Sequence, residues 1–126
     1  MSIRSYFYLG LLLVLLPFAH AQQAMEMYIP IGESVGVSNI TTIIGKVVAF
    51  DVQNKTFSLS DASGTTTIAV PDGAPVWLDR SQAAGGPNQL GSLSDLKPEL
   101  RVEVKYREES REPLLTAEWV KVEIPR

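Results

Sequence analysis

Hydrophobic and polar residues alternate in short runs over most of the chain after residue 41, and turn residues separate the runs. The clearest run is 100–107, where Leu100, Val102, Val104 and Tyr106 alternate with charged residues. Alternation with a period of two predicts a strand with one buried face, and we expect the charged face of this strand to be solvated. Several such runs at close spacing predict an all-β domain.

Five strands are predicted in this part of the chain. They are Thr42–Asp51, Thr56–Ser60, Thr65–Val70, Leu100–Arg107 and Leu115–Ile124. Gly45 predicts a bend or bulge in the first strand, and a change of hydrophobic phase near Trp119 predicts a one-residue bulge in the last.

A short helical turn is predicted between the third and fourth strands. Ser92 can cap it, Pro98 stops it, and Leu93 and Leu96 share one face that could plug a barrel end. Five strands in this order, with the turn in this place, predict a five-stranded OB-like barrel over residues 42–126.

The first 21 residues have the pattern of a leader. Arg4 precedes the apolar run Tyr6–Phe18, and the small residues Ala19 and Ala21 predict cleavage near Ala21. Pro17 ends the apolar run too early for a membrane anchor. We therefore expect a signal peptide at 1–21, a periplasmic or secreted location, and no membrane span in the mature chain.

Residues 22–41 predict an extended lead-in to the barrel. Pro30 and the small residues Gly32, Ser34 and Gly36 interrupt any regular periodicity. The segment is nevertheless too apolar for a free tail, so we expect part of it to lie along the barrel and cap an edge.

Composition argues against a conventional active site. The chain has no cysteine, and its one histidine, His20, lies in the predicted leader. The mature protein would lack the usual nucleophiles, the side chain that titrates near neutral pH and the usual transition-metal ligands. We expect no enzymatic activity, no cofactor and no metal site.

Carboxylates are the remaining catalytic candidates, and the sequence offers two pairs, Asp51 with Asp61 and Asp72 with Asp79. All four lie at predicted turns or strand ends, where aspartate is favoured for local hydrogen bonding. Removal of Arg4 with the leader would leave 10 basic against 14 acidic side chains. That balance opposes nucleic-acid binding.

The stretch from Pro71 to Gly91 breaks the strand pattern, and long irregular stretches of this kind tend to be functional or mobile. Its candidate ligand contact is Trp77, with the hairpin loop Glu108–Glu112 beside it; the alternative is that Trp77 packs under its own loop. The predicted ligand-binding residues are Val76, Trp77, Leu78, Asp79 and Arg80.

Over residues 43–124 the sequence resembles the small exported OB-like domains of bacteria, many of unknown function. The matching segments are Gly45–Asp51, Lys55–Leu59, Leu93–Pro98, and Ala117 with Val120 and Val122. That family usually has a glycine in the turn after the helical element, where this chain has Glu99-Leu100. The resemblance implies a shared scaffold.

The strand pattern is also similar to that of the periplasmic copper- and silver-binding chaperones. The resemblance implies a metal held by histidine and methionines on the second and third strands, but here those strands offer no soft ligand. Met25 and Met27 alone would make a weak cuprous site. We therefore expect the scaffold without the metal.

Together these patterns predict a non-enzymatic periplasmic or secreted binding module, whose partner is an envelope protein or a small ligand. The alternative is a structural component of a cell-envelope assembly. In that case an exposed barrel edge, or the segment Tyr28–Val37, would pair with another sheet.

Overall fold

The computed structural model describes residues 26–33 and 42–126, so the predicted leader and much of the lead-in lie outside the described residues. The strands are β1 (Thr42–Asp51), β2 (Thr56–Asp61), β3 (Gly64–Ala69), β4 (Val76–Asp79), β5 (Gln89–Leu90), β6 (Arg101–Tyr106) and β7 (Leu114–Glu123). A 3-10 turn at Leu93–Asp95 precedes β6. The five predicted strands correspond to β1, β2, β3, β6 and β7, whereas β5 was not predicted.

These five strands close a barrel in the order β1-β2-β3-β7-β6 and back to β1. All neighbours are antiparallel except β3 and β7, which pair in parallel. The predicted all-β fold class, a closed five-stranded barrel with one helical turn between its third and fourth strands, is confirmed.

Strand β7 is ten residues long and has two different neighbours on the same side. Its first part, Leu114–Thr116, pairs with β3 and closes the barrel. Its second part, Val120–Glu123, pairs in parallel with β4, and β5 adds to the far edge of β4. The region after β3 therefore forms a small extension of the barrel wall.

Aliphatic side chains fill the barrel, because every second residue of each strand points inward. The most deeply buried are Val47, Phe57, Leu59, Ile68, Val102, Val104, Val120 and Val122. Leu96, which follows the 3-10 turn, is fully buried in the same cluster, and Leu93 packs against it. The Asp95 carboxylate accepts a 2.8 Å hydrogen bond from the Ser92 backbone N–H and holds this turn.

Gly45 lies where β1 and β2 approach closely. A Cβ at this position would be 2.3 Å from the Ser60 carbonyl oxygen, so no side chain fits. The register irregularity of β1 falls at Val48, between the pairs made by Val47 and Ala49. Gly45 is thus required by close backbone approach, and the bulge lies three residues further on.

The predicted bulge near Trp119 is confirmed. Lys105 pairs with Trp119 and Tyr106 pairs with Ala117, which leaves Glu118 as the extra residue of β7. An extra residue reverses the inward and outward positions that follow it. Val120 therefore points into the barrel, and its neighbours along the strand point outward.

Candidate binding face beneath an amino-terminal strap

Five side chains on the outer surface of β4, β7 and β6 form a buried layer, which we call the binding face: Trp77, Asp79, Glu103, Trp119 and Lys121. Register places Lys121 opposite both Glu103 on β6 and Trp77 on β4. Lys121 is 0% exposed and Glu103 is 3% exposed. The expectation that the charged face of β6 is solvated is therefore wrong at Glu103.

Residues 26–33, the strap, lie over this layer and contact its three charged side chains. A Glu26 carboxylate oxygen is 2.5 Å from the Lys121 Nζ atom. The backbone N–H of Ile31 donates to Asp79 at 2.9 Å, and that of Gly32 donates to Glu103 at 3.3 Å. The described part of the lead-in thus lies along the barrel wall, over the outer face of β4, β6 and β7.

Asn88, just before β5, holds the other side of the strap. Its backbone N–H donates to the Met27 carbonyl oxygen at 2.6 Å. Its side-chain amide donates to the carbonyl oxygens of Glu26, at 3.1 Å, and Ile29, at 3.3 Å. Asn88 therefore fixes the strap through main-chain oxygens, which any peptide sequence would offer.

The two tryptophans pack together at the centre of the binding face. The ring centroids of Trp77 and Trp119 are 6.0 Å apart, and the planes are tilted by 43°. The Lys121 ammonium lies 4.5 Å from the centroid of the Trp119 ring, in the geometry of a cation–π contact. The face therefore offers both an aromatic surface and a buried positive charge.

The pKa values of the two carboxyl groups on the face shift in opposite directions. Burial raises the pKa of Glu103 and outweighs the hydrogen bond from Gly32 and the attraction of Lys121. Burial also pushes the pKa of Asp79 upward, but hydrogen bonds from Ile31 and Ser81, with the Lys121 charge, outweigh it and lower the pKa. Asp79 is thus held ionised by its donors.

The five residues predicted to bind a ligand divide between two environments. The alternation of β4 turns Trp77 and Asp79 to the binding face, whereas Val76 and Leu78 pack against the barrel core. Arg80 follows the strand and is half-buried. Trp77 is itself buried, at 5% exposed. A ligand contact at these residues stays a prediction.

Sequence reasoning missed Glu103 and Lys121 as neighbours of Trp77 on this face. The available signal was the phase change at Trp119, which places Lys121 on the outer face. The hairpin loop Glu108–Glu112 is not beside Trp77. It lies near β3, where Thr66 contacts Glu112 at 3.4 Å, because the loop precedes the half of β7 that pairs with β3.

The four aspartates of the two candidate catalytic pairs each have a hydrogen-bond or ion-pair partner. Asp51 accepts hydrogen bonds from Asn54, which lower its pKa, and Asp61 accepts one from the Ser63 N–H. Asp72 pairs with Lys55 at 2.6 Å. Asp51 and Asp61 flank opposite ends of β2, which separates them by about 17 Å, beyond the roughly 5–10 Å of paired catalytic carboxylates.

A separate open groove of about 530 Å³ lies at the barrel end next to β5. Its walls are the β1–β2 turn and the segments 70–76 and 90–93. Leu90, which is 75% exposed, and Val52 lie on its rim. Of the predicted ligand-binding residues, Val76 lines this groove.

Within residues 26–33 and 42–126, no three side chains of the metal-binding types converge to hold an ion. No helix in the described residues is both long and apolar enough to cross a membrane. No family model, curated protein or solved structure matches this chain in comparisons of sequence and fold.

Proposed function

We propose that the protein is a non-enzymatic binding module with an OB-like barrel, which is exported by its leader and works in the periplasm or outside the cell. The strand order of the barrel and the buried Leu96 after the 3-10 turn support the OB-like assignment. Its partner is an envelope protein or a small ligand, and its contact region is the binding face around Trp77.

The observation that carries this proposal is the buried charge on the outside of the barrel. Burying Lys121, Asp79 and Glu103 has a large desolvation penalty, and buried ion pairs are weak stabilisers compared with apolar packing. Here these groups point at the main-chain N–H groups and the carboxylate of the strap. Such an arrangement is typical of recognition surfaces, where charge gives specificity.

The surroundings of the ionisable groups support a non-enzymatic role. In the described residues, the buried ionisable groups, Asp79, Glu103 and Lys121, contact the strap, and the charge of Lys121 attracts both carboxylates. The open groove is lined mainly by aliphatic side chains, prolines and glycine, with the Lys55–Asp72 pair at its rim. Neither the binding face nor the open groove combines an activated nucleophile or base with access to substrate.

In-cell photocrosslinking followed by mass spectrometry tests the proposal. A crosslinking residue at Leu90, the exposed register partner of Trp77, should yield a discrete partner adduct. The same residue at Ala62, in the distant β2–β3 turn, is the matched control. Adducts that are identical from both positions, or none from Leu90, would reject the binding face.

A substitution at Trp77 adds a second test. Because Trp77 packs against Trp119, its replacement by alanine would destabilise the protein by about 3–5 kcal/mol. Trp77→Phe keeps most of the packing and should reduce adduct formation in a folded protein. Unchanged recovery of the partner would reject Trp77 as a contact.

The alternative, a structural role in an envelope assembly, is supported by the short edge strand β5, where Leu90 is exposed. In that role the lead-in segment pairs with another sheet. Deletion of residues 22–37 separates the two functions, because it should abolish such an assembly and spare a face-based binding module.

A further inference from the structure

The strap contacts the barrel as a bound peptide would. Its ties to the barrel are the Glu26–Lys121 ion pair, the two N–H bonds to Asp79 and Glu103, and the carbonyl bonds to Asn88. Ile31 is the strap side chain that is most deeply buried, whereas Tyr28 is 69% exposed. The contact is therefore built from main-chain groups, one carboxylate and one apolar anchor.

We infer that the strap is a built-in occupant of the binding face, and that the ligand is a short acidic peptide of a partner protein, which replaces it and adopts the turns of the strap. This inference rests on the proposed function and names its ligand. Lys121 selects a carboxylate, and Asp79 and Glu103 together select two consecutive main-chain N–H groups. Asn88 can bind the strap or a partner peptide equally, because it donates hydrogen bonds to main-chain carbonyl oxygens.

The barrel does not depend on the strap for its core. The buried cluster that fills the barrel includes neither Ile31 nor the two tryptophans. The strap also ends close to β1, since a Cβ on Gly32 would lie 3.9 Å from the Ile44 side chain. Residues 34–41 connect the strap to β1. A chain of eight residues can span about 26 Å, so the linker is long enough for the strap to move away from β1. The strap can therefore leave the face without displacing β1.

Attachment to the same chain favours the strap over an identical strap from a second copy. A tethered segment has an effective concentration of roughly millimolar, and exchange between two copies forms no new contacts. A partner peptide has further surface available, because Leu90 lies beside the face and is exposed. A partner protein is therefore the occupant that this geometry favours.

A labelled peptide with the sequence of residues 24–33 is the probe, and its binding is measured by fluorescence anisotropy. The strap is weakened by the double substitution Glu26→Gln and Ile31→Asp, which removes the ion pair and the apolar anchor. We expect this variant to bind the probe at least about tenfold more tightly than the wild type, because the strap has left the binding face in a larger fraction of the molecules. Lys55→Met, which removes the exposed pair with Asp72, is the control and should bind like the wild type.

Two further variants test the chemistry of recognition. A probe with glutamine in place of its glutamate should bind the opened protein about tenfold less tightly, because the probe then offers Lys121 a neutral amide in place of a carboxylate. Adding Lys121→Met to the opened protein should abolish the preference between the two probes. Equal binding of both probes to the opened protein would overturn the acidic specificity.

Acrylamide quenching of the two tryptophans reports whether the strap has left the face. Quenching that does not increase in the double variant would overturn the inference, because the strap would then be a fixed part of the fold. Increased quenching without probe binding would also overturn it. A strap-exchanged dimer of the wild type, detected by size-exclusion chromatography, would overturn the inference in another way. It would show that the strap of a second copy, and not a partner peptide, occupies the face.

The proposed function can be judged separately. A partner adduct from Leu90 in cells supports a binding module even if the strap peptide does not bind. If the inference is right, the double variant should also increase the yield of that adduct relative to the wild type.

Discussion

Two ion pairs of nearly equal length make the sharpest prediction, because they differ in burial. Lys121 and Glu26 are 2.5 Å apart, with side chains 0% and 15% exposed. Lys55 and Asp72 are 2.6 Å apart, with side chains 50% and 86% exposed. If burial decides the energetic weight of an ion pair, Lys121→Met and Lys55→Met should have very different effects on stability.

Lys121→Met leaves Glu26, Asp79 and Glu103 near one another without their shared cation. Removal of one partner from a buried ion pair lowers stability by about 3–5 kcal/mol, because an uncompensated charge stays buried. Detachment of the strap or protonation of a carboxylate relieves part of this loss of stability. We therefore expect Lys121→Met to lower the free energy of unfolding by about 3 kcal/mol. An exposed pair contributes only about 0.2–1 kcal/mol, which is the expected effect of Lys55→Met.

Urea unfolding followed by far-ultraviolet circular dichroism measures both effects without relying on the tryptophans, which Lys121 contacts. With a slope of about 1–3 kcal/mol per molar urea, the midpoint of Lys121→Met should fall by about 1–3 M. The midpoint of Lys55→Met should stay within a few tenths of a molar of the wild type. Equal shifts for the two variants would refute the claim that the face is a buried charge cluster.

Three further substitutions test particular contacts. Gly45→Ala should lower the free energy of unfolding by about 2 kcal/mol or more, because its Cβ meets the Ser60 carbonyl; an unchanged urea midpoint would contradict this. Glu99, with φ of +74°, occupies a glycine-favouring conformation, so Glu99→Gly should raise the melting temperature by a few degrees; a decrease would count against it. Burial raises the pKa of Glu103 above its usual value of 4.5, so the folded protein binds that proton more tightly than the unfolded chain. Its stabilising effect is complete below that usual value and is lost as the pH rises through the folded-state pKa. Glu103→Gln should abolish this loss in urea titrations from pH 4 to 8, and parallel pH profiles for the two proteins would show the shift to be absent.

The barrel was predictable because its strands obey a local rule. Alternation in β2, β3 and β6 identifies inward residues such as Phe57, Ile68 and Val104, and turn residues mark where strands end. Even the β7 bulge was visible, because a phase change at Trp119 leaves one residue unpaired. The bulge at Val48 was not, since β1 has apolar residues in both phases around it.

The binding face was only half predictable. Trp77 stood out as an aromatic residue in an irregular region, but its partners Glu103 and Lys121 lie 26 and 44 residues further along the chain. Alternation alone assigns both to the solvated side of a strand. Their burial depends on the strap, whose docking is set by contacts between residues 48 to 95 positions apart, such as Ile31 with Asp79. Local periodicity carries no information about such pairings.

Amide hydrogen exchange, measured by NMR in the intact protein, tests most directly whether the strap occupies the face. The N–H groups of Ile31 and Gly32 donate to the buried carboxylates of Asp79 and Glu103, so they should exchange far more slowly than an unstructured chain. In Lys121→Met both should exchange faster, while the Leu59 amide within the barrel keeps its protection. Exchange of Ile31 and Gly32 at unstructured rates in the wild type would contradict the account.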